Sequence, residues 1–227
     1  MFRIKICGIT NVSDALSAAD AGADAIGLNF YPKSSRFIDA TVASAILKVV
    51  PPQLGRVGVV VNERVEALNR LLAQFEVDAQ PGLHAIQLHG DEPPAILTSI
   101  RAKYLIRARR FTDQGIAAIA ADLEACDKMR RLPDAVLIDA ATPGRYGGTG
   151  TTVSWSGLAD YRRWLHNVPL ILAGGLTPDN VAEAIRIVRP HGVDVASGVE
   201  ASPGKKDHAK VRDFVAAARE AFSQLKS

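Results

Sequence analysis

Val57-Gly58-Val59-Val60-Val61, closed by Asn62, decides the fold. β-Branched residues suit a pleated strand, and an apolar run without polar alternation marks a strand covered on both faces, as in a parallel sheet wrapped by helices. Working outward, short apolar runs recur on either side at residues 4–7, 25–30, 85–88, 104–108, 135–138, 170–173 and 193–196. Helical patterns separate them. Thr10 or Asn11 can cap a helix through Asp20 that stops at Gly22, and Asp39 opens one that ends before Pro51-Pro52. Asn62 can cap a third, whose Val65, Leu68, Leu71, Leu72 and Phe75 share a face at 3.6-residue spacing. Asp91-Glu92-Pro93 opens a fourth, and an Ala-rich segment over 113–131 forms a fifth. Thr177-Pro178 opens the helix after the seventh run, and Val211, Phe214, Val215, Ala218 and Phe222 give the last one its apolar stripe.

Eight βα units without a break in composition mean a closed barrel or an open doubly wound sheet. The count of eight, and the lack of GxGxxG after the first run, favour the barrel. The expectation is a single-domain α/β fold over residues 1–227: a (β/α)8 TIM barrel of the phosphate-binding type. A chain of 227 residues fits the size of such a barrel, and 48% hydrophobic against 22% charged residues excludes a disordered chain.

The net charge is +3, with arginines and lysines paired only at Arg109-Arg110, Arg130-Arg131, Arg162-Arg163 and Lys205-Lys206. No basic stripe interleaved with aromatics points to nucleic acid. The first residues lack a signal-peptide apolar core, and no run approaches the ~20 apolar residues of a membrane span. Cys7 and Cys126 have no metal-ligand spacing, so no metal or cofactor is expected. These features suit a reduced, cytoplasmic enzyme acting on a small molecule, as monomer or homodimer.

Barrel active sites lie where strands end. Cys7-Gly8 ends the first run, Gln87-Leu88-His89-Gly90 the fourth and Asp139 the sixth; Gly174-Gly175 follow the seventh and Ser197-Gly198 the eighth. Gly174-Gly175 and Ser197-Gly198, on adjacent strands, look like a phosphate cradle, since glycine lets backbone N–H groups approach an anion, although tight βα turns also use glycine. Cys7 is a candidate base or a small buried hydrophobe. Asp139, after a buried strand, is a structural ion-pair partner or a general acid, and Asp194 inside Val193-Asp194-Val195 presents the same choice. His89 can bond a substrate or be a satisfied rim histidine. Arg36, in Tyr31-Pro32-Lys33-Ser34-Ser35-Arg36, carries the fork that suits a carboxylate, or is a solvated loop charge. The glycine-rich loop over 142–150 suggests a lid.

Lys5-Ile6-Cys7-Gly8-Ile9-Thr10, Gln87-Leu88-His89-Gly90, Ile138-Asp139 with Tyr146-Gly147-Gly148-Thr149-Gly150, Ala173-Gly174-Gly175-Leu176, and the segments 193–200 and 203–207 together resemble the phosphoribosylanthranilate isomerase family. The likeness runs in order from about residue 3 to the last helix. It implies a cofactor-free Amadori rearrangement in tryptophan biosynthesis, with Cys7 as general base and Asp139 as general acid. It also implies Arg36 on the anthranilate carboxylate, Gly174, Gly175, Ser197 and Gly198 on the phosphate, and Gln87, His89 and Asp194 as hydrogen-bonding groups. The thiol pKa should then be lowered, while the acid keeps its proton. The competing readings are a related phosphoribosyl isomerase with a dual or histidine-pathway substrate, where an aspartate is expected at position 7, and a barrel that only binds a phosphorylated metabolite.

Overall fold

A computed structural model describes residues 1–76, 82–140 and 155–225. Eight parallel strands form a closed barrel in sequence order: β1 (Ile4–Cys7), β2 (Ala25–Asn29), β3 (Gly55–Val60), β4 (Ala85–Leu88), β5 (Tyr104–Arg110), β6 (Ala135–Asp139), β7 (Leu170–Ala173) and β8 (Gly192–Val195), with β8 returning to β1. Among the described residues, six α-helices accompany them: α1 (Val12–Asp20), α2 (Ala40–Val49), α3 (Val65–Gln74), α4 (Gly115–Lys128), α5 (Val181–Val188) and α6 (His208–Gln224). A two-stranded hairpin, β9 (Glu200–Ser202) with β10 (Lys205–Lys206), precedes α6.

The strands' period of two separates two apolar clusters. Ile4 and Ile6 on β1, Ile26 and Leu28 on β2, and Val193 and Val195 on β8 face the helices, packing with Ala15, Ile46, Ile185 and Phe214. Ala25, Val57, Ala85, Ile106, Leu137 and Ile171 fill the barrel interior. Lys5 and Cys7 alternate with Ile4 and Ile6, so their side chains belong to the inner face.

Local signals held where short side chains could finish a helix. Asn11 Oδ1 accepts from the Asp14 N–H, Asp39 Oδ1 from the Val42 N–H, and Gly22, with φ +88°, follows the end of α1. Four expectations need correction. Asn62 does not cap α3, because its Oδ1 accepts from the Asp91 N–H across the rim; Arg64 stands at the cap without a side-chain bond. The segment after β4 is a five-residue 3₁₀ turn, Pro94–Thr98, in place of an α-helix. Between β6 and β7 the described residues form only two short 3₁₀ turns, Trp155–Leu158 and Tyr161–Arg163. The helix after β7 begins at Val181, a few residues beyond Thr177-Pro178. Among the described residues, no helix is long and apolar enough to cross a membrane.

Candidate active site

At the C-terminal mouth of the barrel lies a cavity of about 550 Å³. Cys7, Gly8, Arg36, His89, Asp139, Gly174, Gly175, Asp194, Ser197 and Gly198 all line it. The sulfur of β1 and the carboxyl of β6 therefore open onto one space, with Gly174, Gly175 and Gly198 beside them. Gln87, the remaining residue singled out in the sequence, is fully buried beneath His89. A recess of about 400 Å³ at the opposite mouth, lined by Arg3, Asp24, Arg56 and His84 among others, contains none of these residues. The 142–150 loop, read as a lid, lies outside the described residues.

A buried polar chain runs across the barrel floor. Lys5 Nζ, fully buried, donates to Asp194 Oδ1 at 2.9 Å and to Gln87 Oε1 at 2.8 Å. An ammonium only donates, so the Gln87 oxygen must face Lys5 and its NH2 must face the His89 Nδ1 at 2.8 Å. His89 Nδ1 is then the acceptor, and the proton sits on Nε2. Burial pushes the His89 pKa down, and the Lys5 charge adds to the effect, which agrees with a neutral ring. Asp194 thus has a structural ion-pair partner as well as a place on the cavity wall.

Arg36 reaches the cavity because residue 8 is glycine. A Cβ there would stand 2.3 Å from Arg36 Cδ, and Gly8 itself has φ +72°. Glu200 grips the arginine from the other side, accepting from Nε and Nη2 at 2.7 Å each. Glu200 Oε1 also accepts from Lys206 Nζ at 3.0 Å, so the hairpin β9–β10 places one carboxylate between two cations. Burial would raise the Glu200 pKa, but the Arg36 and Lys206 contacts outweigh it and hold the carboxyl below its ordinary value. Arg36 is an oriented, ion-paired fork rather than a solvated loop charge.

The loops after β7 and β8 pack closely. Gly174 and Gly175 have φ of +89° and +67°. Ser197–Val199 form a 3₁₀ turn, and a Cβ at Gly198 would stand 1.8 Å from the Leu176 carbonyl oxygen. The loops after β7 and β8 therefore lie backbone against backbone at Gly198, where no side chain fits, while the space around Gly175 is open.

One electrostatic expectation is overturned. Burial pushes the Cys7 thiol pKa up, with Asp194 adding to it, and the charges of Lys5 and Lys206 only partly oppose this. Desolvation of a thiolate costs more than the nearby ammonium groups return. Sequence reasoning also missed Lys5, Lys206, Glu200 and Arg110. Lys5 was visible in principle, two residues before Cys7 and hence on the same strand face. Arg110 lines the cavity as the last residue of β5, opposite Asp139 in register, and escaped notice because the fifth run was ended at Ala108. Cys126 is buried on α4, far from the mouth in the chain and outside the cavity lining.

The sequence profile of "N-(5'phosphoribosyl)anthranilate (PRA) isomerase" matches residues 4–217. The chain belongs to the N-(5′-phosphoribosyl)anthranilate isomerase family. It is an isomerase. Its sequence is 44% identical, over 216 residues, to the N-(5′-phosphoribosyl)anthranilate isomerase of Thermotoga petrophila, an alignment covering 95% of this chain and 97% of that one. The crystal structure of the Thermotoga maritima phosphoribosylanthranilate isomerase superposes with a TM-score of 0.81 at 42% identity, covering 97% of this chain and all of the other. A second solved isomerase of the family, in complex with reduced 1-(o-carboxyphenylamino)-1-deoxyribulose 5-phosphate, matches with a TM-score of 0.78 at 39% identity and the same coverage.

Proposed function

We propose that this isomerase converts N-(5′-phosphoribosyl)anthranilate into 1-(2-carboxyphenylamino)-1-deoxyribulose 5-phosphate, a step of tryptophan biosynthesis. The observation that carries the reading is that Cys7, Asp139 and the double glycine cradle line one cavity of about 550 Å³. The phosphate sits against Gly174, Gly175, Ser197 and Gly198, where backbone N–H groups supply donors without side-chain bulk. Arg36, pre-oriented by Glu200, takes the anthranilate carboxylate, and the ribose lies between sulfur and carboxyl.

Asp139 donates its proton to the ribose ring oxygen as the C1′–O bond breaks, and the anilino nitrogen lone pair forms the iminium. Cys7, as thiolate, removes the C2′ proton, and the electron pair moves into the C1′–C2′ bond to give an enolamine. Proton return to C1′ and loss of the enol proton complete the aminoketose. Neutral His89, with Nε2–H toward the cavity, and Asp194 bond the ribose hydroxyls. That a related isomerase was solved with a reduced form of this product supports the substrate choice.

The reading is tested by following the fluorescence of freshly made phosphoribosylanthranilate. Turnover of this compound, with no turnover of the histidine-pathway ribosyl precursor, is the expected result. Turnover of the histidine precursor alone would overturn it, and turnover of neither by folded protein would favour a barrel that only binds.

A further inference from the structure

We propose that Lys5 is a positioning residue for the reaction: it is the counter-ion that keeps the Cys7 sulfur available as a thiolate base. This inference rests on Cys7 being the base, as proposed above. Lys5 Nζ has three N–H bonds and no contact with water; Asp194 takes one and Gln87 a second. The Cys7 sulfur lies two residues along the same strand face, close enough for the Lys5 charge to act on it. Packing holds the two side chains together. Both lie over Gly27 of β2, where a Cβ would stand 2.6 Å from Cys7 Sγ and 3.1 Å from Lys5 Cε. Any larger residue at 27 would push the sulfur or the lysine stem out of place.

A buried lysine in a barrel interior is costly, and an ion pair with Asp194 alone gives no reason to retain it in place of two apolar residues. A role for its charge beside the sulfur supplies one. Charged or titratable groups face this sulfur from every side: Lys5 on β1, Asp194 on β8, Lys206 on β10, and across the cavity Arg36, His89, Arg110 and Asp139. Burial opposes a charged Lys5, yet Asp194 and Cys7 together keep it protonated, so a fixed positive charge stands below the sulfur. Asp194 acts on the thiol in the opposite direction to Lys5. The two residues therefore have opposite predicted effects, which a purely structural role would not produce.

The experiment measures the pH dependence of Cys7 alkylation by iodoacetamide without substrate, in a Cys126→Ser background so that one thiol reports. Lys5→Met should raise the alkylation midpoint by about one pH unit or more. The acid limb of kcat/KM should rise with it, so that activity lost at neutral pH returns in part at higher pH. Asp194→Asn, read by alkylation only, should lower the midpoint. Circular dichroism identifies folded variants; if Lys5→Met does not fold, Asp194→Asn and the neutral pair Lys5→Gln/Asp194→Asn carry the test, the pair reacting more slowly than Asp194→Asn at every pH below the midpoint. An unmoved midpoint in folded Lys5→Met, or a raised one in Asp194→Asn, would overturn the inference. Full activity in Cys7→Ala would instead remove the reading on which it rests.

Discussion

Gly198→Ala is the sharpest single perturbation the geometry offers. The added methyl would stand 1.8 Å from the Leu176 carbonyl oxygen, 2.9 Å from its carbonyl carbon and 3.3 Å from Thr177 Cα, all of them backbone atoms. Bringing the first contact out to 3.0 Å requires a displacement of about 1.2 Å between the loops after β7 and β8. These loops carry the four residues assigned to the phosphate, so the cradle opens by the same amount. A misplacement of about 1 Å in a positioning element costs roughly 100-fold in rate, and overpacking a well-filled site costs about 1–3 kcal/mol of stability. The expected result is a drop in kcat/KM of about two orders of magnitude, carried mainly by KM, with weakened inhibition by inorganic phosphate and a lowered but cooperative melting transition. Gly175→Ala is the matched control: it meets no atom within 4 Å and bears only the cost of φ +67°, about 1–2 kcal/mol, so its kcat/KM should fall far less. Steady-state fluorescence kinetics and thermal melts on both variants decide the matter. A folded Gly198→Ala protein with wild-type KM and phosphate inhibition would refute the cradle assignment.

Arg36→Ala removes the fork that Glu200 orients and should raise KM about 10- to 100-fold while kcat changes less, because a charge-assisted bond to a carboxylate is lost; an unchanged KM would move the carboxylate elsewhere. Asp122 accepts from Arg107 Nε at 2.7 Å and Arg109 Nε at 3.0 Å. Burial would raise its pKa, but the two arginines hold it below its ordinary value, so its stabilising contribution is complete above the unfolded carboxylate value of about 3.9 and is lost as pH falls through the lower folded value. Asp122→Asn leaves Arg107 buried without its partner and should cost roughly 3–5 kcal/mol near neutral pH, with the gap from wild type narrowing in acid melts. A constant gap down to about pH 2 would show that the pairing contributes no pH-dependent stability.

The barrel was readable because its cause is local. An unbroken Val59-Val60-Val61 run can only be covered on both faces, and eight such runs separated by helical spacing leave few topologies. The rim residues followed from knowing that strands end at the site. What the sequence hid was set by partners far along the chain. Lys5 and Asp194 lie 189 residues apart, and Arg36 and Glu200 lie 164 apart, so neither pairing has a local signature. Asn62 shows the same competition: its side chain is a good helix cap, yet the Asp91 N–H, 29 residues on, takes the oxygen. The missing helix after β4 has a nearer cause, since Pro93 is extended at ψ 148° and Thr98 Oγ1 bonds back to the Ala95 carbonyl, leaving a tight turn anchored by Leu97. The thiol was misjudged because its burial depends on how Gly27, Lys5 and Asp194 close around it.

The proposed reaction needs one sulfur and one carboxyl acting on the same bound sugar, and single-turnover kinetics with enzyme in excess over phosphoribosylanthranilate put that pairing to the test. Cys7→Ala and Asp139→Asn should each slow conversion by about 10²- to 10⁴-fold, with the phosphorylated substrate still bound. Conversion near the wild-type rate in either variant would contradict it.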